Sequence, residues 1–379
     1  MVKDSVTEFG LSPNPRRQGP WSPSSYNRLF ACGLQAAFMA DNELRQKFVK
    51  PNTFTSLGIV AHRITEMAWS NDFDSVSDDE IERALFAAWD TELANQASAL
   101  ARKWYPSVPP ASRDWPFASV SRQRNVRRVA GEIRNFRDRR GTQEGHPELP
   151  GNFGPIVERE ICDADINLCG TPDRVIFEGD SFTVFDLKTG SEITDISEPH
   201  RRQLLLYAHL VASATGCTPI SIAIVTSSGK IIEEVISVHD VTVAIEQFLA
   251  HTHDFDNADG DPTKILALAK PGPETCKWCS FRSVCSAYWS KGQPIDGNGG
   301  SLGQIVAITS TNSMTIRQIL PESGSDQLVG VSNIQTGDLR LGEVVSIMGG
   351  FQRESSLRGH WNTRIEVLSG LTSAVVSQP

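Results

Sequence analysis

Asp173, Asp186 and Lys188 are of the types and spacing that could hydrolyse a phosphodiester. They sit in Gly170-Thr171-Pro172-Asp173-Arg174-Val175 and Phe182-Thr183-Val184-Phe185-Asp186-Leu187-Lys188-Thr189-Gly190. The two stretches read as short strands joined by a polar turn at Glu178-Gly179-Asp180. Side chains alternate along a strand, so Asp186 and Lys188 share a face and Leu187 turns into the core. Two carboxylates on neighbouring strand ends form a hard, oxygen-lined site suited to Mg²⁺ or Mn²⁺. Lys188 beside such an ion can orient or deprotonate a water and offset charge on a phosphoryl group under attack. Asp-x-Lys is common by chance, and a Pro-Asp pair is more often a turn than a ligand. The chain that follows adds weight: Gln203 and Tyr207 lie four residues apart in the apolar run Gln203–Val211 and so share a helix face.

Gly-x-Pro-Asp, then Asp-Leu-Lys-Thr-Gly, then Gln-Leu-x-x-Tyr-Ala resembles the RecB-type branch of the PD-(D/E)XK nuclease superfamily. The resemblance implies an α/β, restriction-endonuclease-like mixed sheet flanked by helices. It implies that Asp173 and Asp186 bind metal, that Lys188 assists the attacking water, and that Gln203 and Tyr207 steady the site and the DNA.

Further elements must position these residues. Ser56–Trp69 has a helical apolar period, and its Gly58-x-x-x-His62 resembles the family's histidine helix, which implies that His62 approaches the metal. Taken alone, such a histidine is more often simply hydrogen-bonded. Ile156–Ile161 reads as one strand with Glu158 and Glu160 on the same face. The family carries an acidic ligand upstream of its Gly-x-x-Asp motif, and Glu158 is the preferred match. Residues 76–104 form an amphipathic helix. Residues 121–140 form another, with Val126, Val129, Ile133 and Phe136 on one face and arginines mostly on the other. That basic face is either plainly solvated or tracks phosphates. Ser22 or Ser24 can cap a helix carrying Tyr26, Leu29 and Phe30.

Cys276-x2-Cys279-x5-Cys285 gathers three thiolates and leaves a metal site one ligand short, with Cys32 as the natural fourth. One cysteine before the nuclease core and three after it resembles the iron-sulfur RecB-type nucleases, including AddB and CRISPR-associated members. That resemblance implies a structural [4Fe-4S] cluster; zinc is the competing metal for a sulfur-only site. Cys162, Cys169 and Cys217 read as core thiols. The odd total of seven cysteines argues against a disulfide framework.

Residues 1–20 read as a flexible arm, 21–290 as the nuclease domain, 291–301 as a linker, 302–370 as a small all-β barrel and 371–379 as a tail. Leu341–Phe351 resembles a segment of OB folds in single-strand-binding proteins. Phe351 and Trp361 could stack bases there, with Arg353, Arg358 and Arg364 near the backbone. Barrel aromatics are often core residues, and such a barrel also serves protein contacts.

The net charge of -9 does not exclude DNA binding, which depends on local basic surface. No long apolar run and no apolar leader occur, as expected of a soluble, cytoplasmic protein. Ser228-Gly229-Lys230 lacks the context of a phosphate loop, so any helicase or other repair subunit would be a separate partner. The reading as a whole is a metal-dependent nuclease acting on single-stranded or flapped DNA, with exonuclease and endonuclease action both open and DNA repair one of several pathways that use such domains. Its rivals are a non-cleaving single-strand-binding or scaffold subunit and a zinc-stabilised interaction module.

Overall fold

The computed structural model describes residues 13, 19–49, 52–70, 73, 75–103, 112–142, 156–189, 193–289, 300–319, 327–334, 336–348, 351–353, 356–358 and 364–368. They form two compact units, one drawn from residues 28–49 and from 253 onward, the other from 19–27 and 50–252. Among the described residues, no helix is long and apolar enough to cross a membrane.

The chain opens on α1 (Pro23–Ala31), α2 (Gly33–Ala40) and α3 (Asn42–Phe48). Ser22, rather than Ser24, makes the cap of α1: its Oγ accepts from Ser25 N at 3.2 Å, and Ser25 Oγ accepts from Ser22 N at 2.8 Å. Next come α4 (Thr53–Trp69), α5 (Ile81–Lys103) and α6 (Ala118–Thr142). Their apolar stripes meet in one core containing Leu57, Val60, Ile64, Leu85, Trp89, Val126 and Val129. Phe136 was expected on that face, but its side chain lies outside the described residues.

The strands follow as β1 (Ile156–Val157), β2 (Ile161–Asp163), β3 (Leu168–Gly170), β4 (Arg174–Glu178) and β5 (Ser181–Lys188). After them come α7 (Glu198–Thr215), β6 (Thr218–Thr226), β7 (Ile231–Val235) and α8 (Val238–Ala258). The sheet order is β1-β4-β5-β6-β7, mixed because β5 and β6 run parallel while the other neighbours are antiparallel. Parallel neighbours need a crossover, and α7 supplies it, which brings Gln203 and Tyr207 back over the strand that carries Asp186. Gly216, at φ 73, ends α7 in the left-handed conformation that glycine adopts without strain.

Two expectations are corrected here. The strand foreseen over 156–161 breaks: Glu158 sits at φ 44 between β1 and β2, so Glu158 and Glu160 do not share a strand face. Cys162 and Cys169 are not separate core thiols. They are cross-strand partners in the β2–β3 hairpin, with Cα atoms 4.1 Å apart, and form a disulfide. Spacing in the sequence could not show this, because the pairing depends on hairpin register.

The arginines of α6 are also used differently from a simple outward face. Arg122 clamps Asp90 through two bonds of 2.7 and 2.6 Å, Arg134 meets Glu82 at 3.2 Å, and Arg137 meets Asp78 at 2.6 Å. Arg128 is buried and bonds Glu132 at 2.7 Å and Thr65 Oγ1 at 2.5 Å. Arg122, Arg128 and Arg134 tie α6 to the neighbouring helices, and Arg137 ties it to the turn before α5.

The remaining elements are α9 (Pro262–Ala267), α10 (Pro273–Lys277), β8 (Gly300–Ser310), β9 (Ser313–Gln318), β10 (Leu328–Ser332), β11 (Val344–Met348), β12 (Phe351–Arg353), β13 (Ser356–Arg358) and β14 (Arg364–Val367). The sheet order is β12-β13-β10-β9-β8-β11-β14, with β10 and β13 parallel and the other pairs antiparallel. Its core contains Ile305, Met314, Ile316, Val329, Val345, Ile347 and Leu357. Arg358 is exposed, whereas Trp361 and the side chains of Phe351, Arg353 and Arg364 lie outside the described residues.

Gly170 shows how tightly the β2–β3 hairpin is set against α7. A Cβ there would stand 2.8 Å from the Tyr207 ring and 3.1 Å from both Leu210 and Pro23. Gly170→Ala should therefore displace Tyr207 and cost about 1–3 kcal/mol, read as a lower denaturant midpoint.

Candidate active site

The carboxylates are delivered by adjacent, antiparallel β4 and β5. Asp173 stands at the entrance to β4, and Asp186 lies on β5 with only 3% of its surface exposed. Leu187 N donates to Asp173 Oδ2 at 2.6 Å, so the backbone of one strand fixes the carboxylate of the other. Lys188 Nζ lies 2.7 Å from Asp186 Oδ2, and Gln203 Nε2 donates to Asp186 Oδ1 at 3.2 Å.

From α4, His62 Nδ1 comes within 3.5 Å of Asp173 Oδ2 and 3.7 Å of Glu158 Oε1. These three side chains offer ligand atoms that all lie within 4.8 Å of one another, a spacing one ion can bridge. The bend at Glu158 turns its carboxylate toward His62, while Glu160 is exposed. The oxygen-rich donor set with one imidazole fits Mg²⁺ or Mn²⁺. Asp173, Asp186, Glu158, His62, Lys188, Gln203 and Tyr207 are thus brought together by one unit of the chain.

The electrostatics are those of a site short of positive charge. Burial raises the Asp186 carboxyl to about 6, helped by the charge of Asp173 and opposed by Lys188. Burial likewise raises Glu158, with His62 acting in the opposite direction. For His62, burial disfavours the cation, but hydrogen bonds and charge from Asp173 and Glu158 outweigh it and raise the imidazole to about 10. Tyr207 is pushed up by burial and by the surrounding carboxylates, so its phenol stays protonated and can donate.

Sequence reasoning missed His200. It lies one turn before Gln203 on α7, its ring bonded to Ser197 Oγ at 3.1 Å. Burial and the nearby charge of Lys188 hold its imidazole below the usual histidine range. The signal was present in the i, i+3, i+7 spacing of His200, Gln203 and Tyr207.

The sign of the His62 shift has two consequences. Its folded value exceeds the unfolded one, so it contributes stability that is complete below about 6.5 and lost as pH rises through about 10. In EDTA the melting temperature should fall across that window, and less steeply in His62→Ala. A ligand imidazole must also be neutral. Mn²⁺ affinity, followed by calorimetry, should therefore rise with pH across the same window in the wild type, and His62→Ala should flatten that rise.

No curated relative matches the chain at a significant level. One solved structure with some likeness is described as the crystal structure of SSO0001. It is 18% identical, covers 44% of this chain and 76% of that chain, and has a TM-score of 0.22, too low to carry an argument. The model of the PD-(D/E)XK nuclease superfamily matches residues 20–286, which include every acidic, lysine and helix residue of the site. Members of that superfamily are in general metal-dependent nucleases, and this chain, with its mixed sheet, paired aspartates and lysine in the family's order, belongs to the PD-(D/E)XK nuclease superfamily.

Proposed function

We propose that this protein is a divalent-metal-dependent deoxyribonuclease of the RecB type, acting on single-stranded or flapped DNA. The observation that carries the reading is the convergence of His62, Glu158 and Asp173 at a spacing one ion can bridge, with Asp186 and Lys188 alongside. A divalent ion held by His62, Glu158 and Asp173, with Asp186 beside them, would supply Lewis-acid polarisation of the phosphoryl group and of the attacking water. The chain supplies the rest. Lys188, anchored by Asp186, places an ammonium where negative charge develops on the phosphoryl oxygens. Gln203 holds the Asp186 carboxylate in orientation, and Tyr207, hydrogen-bonded to Gln203, keeps that amide in place.

A structural [4Fe-4S] centre on Cys32, Cys276, Cys279 and Cys285 belongs to the same reading. All four line one pocket whose walls include Leu34, Phe38 and Tyr288. Lys270 N donates to Cys32 Sγ at 3.4 Å, and backbone N–H groups of Phe281 and Tyr288 bond Cys279 and Cys285, the pattern that suits bound thiolates. Burial pushes Cys279 up to about 11 and Cys285 up to about 12, so a positive centre is needed to hold them ionised. Gly33 leaves room for this arrangement: a Cβ there would stand 2.5 Å from Leu268 Cβ.

The C-terminal sheet is read as an OB-like, single-strand-binding module. The parallel pairing of β10 with β13 and the position of β8 between β9 and β11 support it.

Anaerobically purified protein should be brown and should cut end-labelled DNA only with Mg²⁺ or Mn²⁺. Lys188→Ala should lower the cleavage rate by at least about 100-fold while DNA binding stays near wild type. Undiminished cleavage in that variant would remove the assignment. Cys32→Ser should lose the visible absorbance and lower thermal stability; a fully loaded, stable variant would place the fourth ligand elsewhere.

A further inference from the structure

The unit formed by residues 19–27 and 50–252 carries an aromatic pair at its surface. Phe54, in the first turn of α4, is 58% exposed, and Phe117, just before α6, is 66% exposed. Their ring centroids lie 5.8 Å apart at 39°. Neither ring is buried in the helical core. Phe117 also holds φ 63, a region that a bulky residue adopts only with strain and that Asn or Gly would occupy more readily. Retaining a strained, solvent-facing phenylalanine serves packing poorly.

The pair is placed to serve the site. Phe54, Gly58 and His62 follow one another at four-residue intervals on α4, so the rings stand about 12 Å along the helix axis from the metal-ligating histidine. At Gly58 a Cβ would lie 3.5 Å from Thr189 Oγ1, so this stripe also borders the residue after Lys188. Val120, 48% exposed, extends the apolar surface one turn beyond Phe117. Val120, Arg124 and Arg127 then share a face of α6. Arg122, Arg128, Arg134 and Arg137 are tied to carboxylates, but among the described residues Arg124 and Arg127 are exposed and meet none.

Exposed rings beside unneutralised guanidinium groups, next to a phosphodiester site, match the chemistry of an unpaired nucleic-acid strand. Its bases have free faces to stack, whereas those of a duplex are stacked on each other. We propose that Phe54 and Phe117 form a base-stacking platform for single-stranded DNA, with Arg124 and Arg127 on its phosphates. At about 3.4 Å per stacked nucleotide, the platform takes bases roughly three or four nucleotides from the phosphate being cut. This deepens the nuclease reading and rests on it for the direction of the strand toward Lys188.

The test uses the full-length protein with Ca²⁺ in place of Mg²⁺ or Mn²⁺, and fluorescence anisotropy of a labelled oligothymidylate and a labelled duplex. Phe54→Ala and Phe117→Asn should each weaken single-strand binding about tenfold and leave duplex binding within about twofold. Phe117→Asn suits the left-handed backbone, so its denaturation midpoint should not fall, which separates lost stacking from a folding defect. Arg124→Gln with Arg127→Gln should reduce the slope of log affinity against log salt by about 1.4. Wild-type affinity for the oligothymidylate in both phenylalanine variants would overturn the platform. So would self-association of the wild type that the same variants abolish without changing DNA affinity. Wild-type protein that binds the single strand through Phe54 but cuts nothing with Mg²⁺ or Mn²⁺ would leave the platform standing and remove the nuclease reading. Cutting by the wild type with unaltered binding in the variants would do the reverse.

Discussion

A carboxylate that is 3% exposed, with a second carboxylate on the adjacent strand, is the constraint on which the rest of this site depends. Burying Asp186 beside Asp173 is unfavourable unless positive charge is held close by. Lys188 supplies one such charge, at 2.7 Å. A proton on His62 supplies another, which is why that imidazole remains charged against its own burial. Three carboxylates, counting Glu158, face these two cations. A divalent ion would displace the His62 proton and supply two charges where that proton supplies one, so the arrangement of carboxylates favours metal.

The sheet and α7 answer the geometric side of that constraint. Antiparallel β4 and β5 set the two aspartates side by side, and the Leu187 N–H bonds Asp173 directly. Because β5 and β6 are parallel, the chain has to cross over, and the crossover helix brings Gln203 onto Asp186 and Tyr207 onto Gly170. The β2–β3 hairpin supports the helix from its other side, where His209 Nε2 meets Asp163 Oδ2 at 2.8 Å. Asp186, Lys188, His62, Gln203 and Tyr207 therefore rest on strands and helices, while Asp173 and Glu158 are held at strand ends, Asp173 by the Leu187 N–H.

Charge elsewhere in the unit is divided between structure and surface. An arginine-rich helix in a protein of net charge -9 invites a nucleic-acid reading, yet most of its described guanidinium groups bind Asp78, Glu82, Asp90 and Glu132. Arg128 is buried and anchors α6 to Thr65 of α4, the helix that carries His62. Its neighbours Arg124 and Arg127 point to solvent on the same helix. Composition alone could not sort these arginines, because which face meets α5 is settled only when three helices pack.

The sequence by itself determined the local chemistry. Strand alternation placed Asp186 and Lys188 on one face, helical spacing paired Gln203 with Tyr207, and the polar turn at Gly179 joined β4 to β5. These features rest on contacts between near neighbours, where periodicity is a direct statement of geometry. Only the tertiary structure decided which glutamate faces His62, since a bend at φ 44 replaced the expected strand. It likewise decided that Cys162 and Cys169 are joined, and that the exposed Phe54 and Phe117 meet. Each of these depends on register, on a backbone excursion or on helices meeting across long sequence separations, and residue type and spacing along one chain carry no measure of such distances.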